Sequence, residues 1–196
     1  MKRLLAIGVL ALAACQSMAP KPQELPYPPQ RVFQNTYSFM PPVELGWVQL
    51  VRTGNELAFA RPGRNPDETF AIQARVFRLP AYGSREEFAE IIRKGLAEQS
   101  GDPRYRVLKH DMIADPSKET SCLRSHFVAE DTTAVKRTAT PGVMVLEVMT
   151  RSCAHPKNPN FAVTLVYSHR HYPEHADANF ADKADQLLSS MEFLQP

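Results

Sequence analysis

The chain has 196 residues, 23 Lys+Arg against 21 Asp+Glu for a formal charge of +2, and 43% hydrophobic residues. That length fits a single domain of ordinary size. The near-balance of charge excludes a strongly basic nucleic-acid binder, whose Lys and Arg concentrate on one face, and the apolar fraction excludes a chain disordered throughout.

Met1-Lys2-Arg3 is a short basic start, and Leu4 to Leu12 is an apolar run of nine residues. A helix needs ~20 residues to cross a ~30 Å hydrocarbon core, so this run has the form of a secretory signal and not of a membrane span. It ends in Leu12-Ala13-Ala14-Cys15, which resembles the lipobox of bacterial lipoproteins. The resemblance implies cleavage after residue 14 and acylation of Cys15. With Gln16 next, it also implies lipid-anchored placement on the periplasmic face of the outer membrane. Removing residues 1–14 takes away Lys2 and Arg3 and no acid, so the mature chain is formally neutral.

Residues 15–36 are expected to form an acylated, proline-rich tether, with Pro20, Pro22, Pro26, Pro28 and Pro29. Proline fixes φ and donates no backbone hydrogen bond, which favours an extended spacer of ~3.1 Å per residue. Val32, Phe33, Tyr37 and Phe39 suit the junction where the tether packs on a single domain, residues 37–196.

In that domain Trp47 to Val51 reads as a strand, Thr53-Gly54-Asn55 as a turn and Leu57 to Ala60 as the return strand. After a Pro-Gly loop, Thr69 to Leu79 alternates Phe70, Ile72, Ala74 and Val76 on one face with Gln73 and Arg75 on the other. Ser84, with Glu87 three residues on, forms a capping box for a helix carrying Phe88, Ile91, Ile92 and Leu96, which Gly101 and Pro103 end. Four strands follow, Tyr105–Ala114, Cys122–Glu130, Val143–Ser152 and Phe161–His169, then a helix over Ala178–Phe193. The order β-β-β-α-β-β-β-β-α predicts an α+β fold with an antiparallel sheet of about six to seven strands and two main helices.

With Cys15 lipidated, Cys122 and Cys153 remain as an even pair in an exported chain, where disulfides persist. They are nearly equidistant from the loop Thr132–Pro141, so an antiparallel hairpin brings them face to face. The same register opposes Arg124 and Arg151, an unfavourable like-charge pair that a two-residue shift would relieve.

This order of elements, with the Gly46-Trp47 hairpin opening and a long C-terminal helix, resembles the PsbP-like fold over most of residues 37–194. That fold includes the extrinsic PsbP proteins of photosystem II and DcrB-type bacterial lipoproteins. The resemblance implies a non-enzymatic accessory protein that docks on a larger assembly, and it assigns no site residues.

The residues themselves offer one metal-ligating pattern. His169 and His171 share a strand face, His175 follows after Tyr172-Pro173-Glu174, and imidazoles so spaced can converge on a transition metal. His155 is a further candidate, while a bonded Cys153 has no thiolate to offer. The competing reading makes His169 a histidine at the rim of the core. Neither Gly-x-Ser-x-Gly nor a P-loop, H-E-x-x-H or dinucleotide fingerprint occurs. Ser121, Ser125 and Ser152 neighbour histidines only in sequence, and Glu130-Asp131 reads as solvated charge beside a turn. Arg61, Arg64, Lys136 and Arg137 sit in polar loops, open to an anionic partner or simply to water. No cofactor and no enzymatic activity are expected.

The leading expectation is a lipid-anchored periplasmic accessory protein that docks on an envelope complex or partner protein, attached to the membrane by its N-terminal lipid and without nucleic-acid contacts. The alternatives are a binding protein for a small apolar ligand or lipid, which calls for a deep cleft between sheet and helix, and a metal-binding domain through His169, His171 and His175. Cys15→Ala should move the protein from the membrane fraction into the soluble periplasmic extract. Retention of the variant by washed membranes would overturn the anchor.

Overall fold

The computed structural model describes residues 23–115 and 120–194, so the signal segment and Cys15 lie outside the described residues. Strand alternation and turn chemistry build β3 (Val48–Arg52), β4 (Glu56–Pro62), β5 (Thr69–Arg78), β6 (Tyr105–Asp115), β7 (Cys122–Asp131), β8 (Met144–His155) and β9 (Asn158–His171). They form one seven-stranded sheet in the order β3-β4-β5-β9-β8-β7-β6, antiparallel at every step. Two short strands ahead of it, β1 (Val32–Phe33) and β2 (Tyr37–Phe39), join β10 (Glu192–Phe193) in a small second sheet, ordered β1-β2-β10. The helices are α1 (Arg85–Ser100) and α2 (Phe180–Ser189).

One face of the large sheet is dry. Phe70, Ile72 and Ala74 of β5 and Val163, Leu165 and Tyr167 of β9 meet Phe180, Ala184, Leu187 and Leu188 of α2 there, and Tyr37 and Phe39 of the small sheet complete the cover. Trp47 joins this core; the left-handed Gly46, φ 83°, lets the chain turn sharply just before it. The other face carries α1. The Ser84 hydroxyl caps that helix by accepting from the Glu87 amide, and the Glu87 carboxylate accepts from the Gly83 amide. Phe88, Ala89 and Ile92 pack on Leu79, Leu123, Ala154 and Ala162.

Two segments depart from the sequence expectation. The last helix ends at Ser189, and Glu192 and Phe193 pair with β2. The buried strand Tyr37–Phe39 has an edge that needs hydrogen-bond partners, and those two residues supply them. The Ser190 hydroxyl accepts from the Met40 amide and fixes the turn. Within the expected tether, residues 23–36 lie on the domain. Glu24 bridges Val48, Leu25 packs against the core, and β1 pairs with β2. Strands of two and three residues among prolines give no periodicity to read.

Cys122 and Cys153 face each other across β7 and β8 and form a disulfide with their Cα atoms 4.1 Å apart. Arg124 and Arg151 are also directly opposed, so the register does not shift to separate them. Instead Asp115, the last residue of β6, sets one carboxylate oxygen between them, accepting from Arg124 Nε at 3.0 Å and Arg151 Nε at 2.8 Å. The two guanidiniums then reach α2: Arg124 to Asp185 and Ser189, Arg151 to the Leu188 carbonyl. Cations at a helix C-terminus also suit its dipole. Asp115→Asn removes the shared countercharge and should cost about 2 kcal/mol, read as a lower urea midpoint that high salt partly restores by screening the two arginines. An unchanged midpoint would show that the pair needs no countercharge.

Candidate functional site

On the α1 side the sheet is only half covered. The first two turns of α1 bury Phe88, Ala89 and Ile92. Ile91 and, further on, Leu96 are only partly buried, and a Cβ at Gly95 would meet nothing within 4 Å. The second half of the helix therefore roofs a cleft of about 1000 Å³ over the sheet. Its walls include Ile91 and Leu96 above and Phe77, Phe127, Val148 and Val166 below. A volume of this order is at the upper end of small-molecule sites, which are mostly apolar with a few placed polar groups.

Six of the polar groups lie in two cross-strand rows on the floor. Arg75 pairs with Thr164, and Thr164 with Ser152. Gln73 pairs with Val166, Val166 with Thr150, and Thr150 with Ser125. The Ser125–Thr150 and Ser152–Thr164 hydroxyls bond to each other at 2.7 Å. Each such pair uses one O–H internally and leaves one to donate outward. Ser125 and Ser152, weighed as nucleophiles on sequence, are thus hydrogen-bonded floor residues. The polar second face of β5 was legible in Gln73 and Arg75; that α1 would stand away from it was not, because a helical period does not say how far along its length a helix is packed.

The three candidate metal-ligating histidines do not converge on one point. His169 and His171 stack ring on ring at 4.4 Å, and His169 also stacks on Phe70 at 3.7 Å. Both are buried. His175 instead hydrogen-bonds Glu68, and His155 accepts from the Lys157 and Asn158 amides in its own turn. Among the described residues no three His, Cys, Asp or Glu side chains are arranged to hold a metal ion. Burial pushes His169 down to about 3, with the neighbouring His171 adding to the shift.

Beside the histidines lies a cluster that sequence reasoning missed. Asp67 and Glu68 are buried at the start of β5. Asp67 accepts from the Thr138 amide and hydroxyl and from the Tyr172 hydroxyl. Glu68 accepts from the Arg64, Asn65 and Tyr172 amides. Burial disfavours the Asp67 carboxylate, but these hydrogen bonds prevail and bring it to about 2. The cluster pins the loop between β7 and β8 to the β4–β5 loop. Two of the four candidate cations are engaged too: Arg61 pairs with Glu44 and lies over Phe70, and Lys136 donates to the Thr140 carbonyl at 2.9 Å. Asp131, expected in solvent, is buried and held by Arg104 and Arg170.

No family model and no curated protein matches this sequence. Among solved structures, the chain is similar to LpqN, described as involved in cell envelope biogenesis of Mycobacterium tuberculosis. The TM-score is 0.52 at 11% identity, covering 85% of this chain and 90% of that one. A likeness this distant in sequence supports the α+β fold. A protein from Bacteroides thetaiotaomicron aligns at a TM-score of 0.32 and 15% identity, over 81% of this chain and 45% of that one, too low to bear on the fold.

His169 generates a pH prediction. Its folded value lies below the ~6.5 of an unfolded histidine, so the unfolded state binds the extra proton and stability falls as pH drops from ~6.5 toward 3. Asp67 contributes only below its unfolded value of ~3.9. Urea midpoints taken between pH 7 and pH 4.5 should therefore decline, and His169→Phe, which keeps the ring stack, should flatten the decline. An equal slope in the variant would assign the acid lability elsewhere.

Proposed function

We propose that this chain is a non-enzymatic accessory protein of the bacterial cell envelope, anchored by a lipid on Cys15, whose domain binds a small apolar or amphipathic molecule, a lipid among them, between α1 and the sheet. The cleft of about 1000 Å³ carries this reading. It is the deep space between helix and sheet that a ligand-binding domain calls for, apolar on its walls with hydroxyls, Gln73 and Arg75 on its floor. The Leu12-Ala13-Ala14-Cys15 motif supports the anchor and the outer-membrane, periplasmic placement. The fold shared with LpqN, itself described as taking part in envelope biogenesis, supports the compartment.

Docking of a protein partner remains a second reading because of β6. That strand ends the large sheet and exposes Val107, Leu108 and Ile113. An open edge of this kind can accept a further strand.

Native mass spectrometry of the protein extracted from membranes under mild conditions tests the first reading. A bound molecule of lipid-like mass is expected. Gly95→Trp, which projects a large ring into open space, should abolish that mass. The helix should not suffer, since replacing a mid-helix glycine gains a few tenths to ~1 kcal/mol. A ligand-free wild type, or a ligand equally retained by the variant, would overturn the cleft as the binding site.

A further inference from the structure

Ten large hydrophobic side chains are exposed among the described residues, and five of them, Tyr27, Phe33, Val43, Leu45 and Leu50, fall between residues 27 and 50. Leu45 is 70% exposed, Val43 67% and Leu50 63%. Leu50 is the bulged residue of β3: Gln49 and Val51 have partners on β4, and Leu50 has none. A bulge re-aims the side chain it carries.

The same region receives the chain from its N-terminal side. The Gln49 amide donates to the Gln23 carbonyl and the Leu25 amide to the Trp47 carbonyl, both at 2.8 Å. Gln23 is thereby stitched to the outer edge of β3, one residue from Leu50. Seven residues lie between Cys15 and Gln23, which makes eight Cα-to-Cα steps. At no more than ~3.6 Å each they reach at most ~29 Å.

Charge is sparse here. Residues 23–50 contain only Glu24, Arg31 and Glu44. Arg31 pairs with Glu192, and Glu44 with Arg61 and Lys183. Among the described residues Glu24 has no ion-pair partner, so contact with an apolar medium would desolvate little that is costly.

We infer that Tyr27, Val43, Leu45 and Leu50 form the membrane-facing surface of the domain, seated in the interface of the bilayer that holds the acylated Cys15. This inference rests on the lipid-anchor reading. A short leash from Cys15 ends at the β3 edge, the apolar side chains lie within six residues of the stitched segments in sequence, and two of the three charges in residues 23–50 are paired. The occupant is a lipid surface, which would fix the orientation of the domain and turn β6, at the opposite edge of the sheet, away from the bilayer.

Hydrogen–deuterium exchange tests it, using the full acylated protein in phosphatidylethanolamine–phosphatidylglycerol vesicles and Cys15→Ala protein mixed with the same vesicles. The mass of the N-terminal peptide first reports whether Cys15 is acylated. If it is not, the anchor reading and this surface fail together. With acylation present, amides in residues 43–52 should exchange several-fold more slowly on vesicles than in the Cys15→Ala protein. Leu45→Ser/Leu50→Ser should lose that slowing while staying in the vesicle fraction. Unchanged exchange in acylated protein, slowing that survives the double substitution, or slowing that needs only a higher protein concentration and no vesicles would each overturn the surface and leave the anchor standing.

Discussion

The ladder from Thr69↔Arg170 to Arg78↔Phe161, which locks β5 to β9, decides what every other element touches. Alternate residues of a strand point to opposite faces, so this one register sends Phe70, Ile72 and Ala74 together with Leu165 and Tyr167 to the dry side. It sends Gln73, Arg75, Thr164 and Val166 to the cleft side. A slip of one residue would exchange the two sets. The buried carboxylates of Asp67 and Glu68, at the entry to β5 and beside the exit of β9, hold the end of the ladder in place.

The two faces receive unequal cover. The dry face has α2 and a second sheet whose strands come from both ends of the domain. The other has a single helix that is packed only over its first half. Hydroxyls that bond in pairs on the cleft floor each have one partner within the sheet and leave one O–H per pair to the open cleft, so this face can stay open without leaving buried polar groups stranded.

The sequence reading reached the sheet, both helices and the facing cysteines because each rests on a local signal: alternation in Thr69–Leu79, the cap at Ser84, a hairpin centred on one loop. It failed where the deciding interaction is long-range. Asp115 between Arg124 and Arg151 joins three strands, and no window around any one of them contains it. Glu192 and Phe193 became a strand because a partner more than a hundred residues earlier offered an edge. His169 and His171 share one face, but a shared face says nothing about which way the ring nitrogens point, and His169 stacked on Phe70 with His171 stacked on His169 makes both rings part of the buried interior. For the cleft, sequence showed that the residues facing α1 are partly polar and could not show the gap.

Strand order also bears on when the domain can form. β9 sits at the centre of the sheet in space and close to the end in sequence. Until residues 158–171 are present, β3–β5 and β6–β8 are two separate antiparallel fragments with no ladder between them. Contacts of such long sequence separation form late and slowly. A chain emerging N-terminus first would stay loose through most of its emergence and close into one domain only at the end.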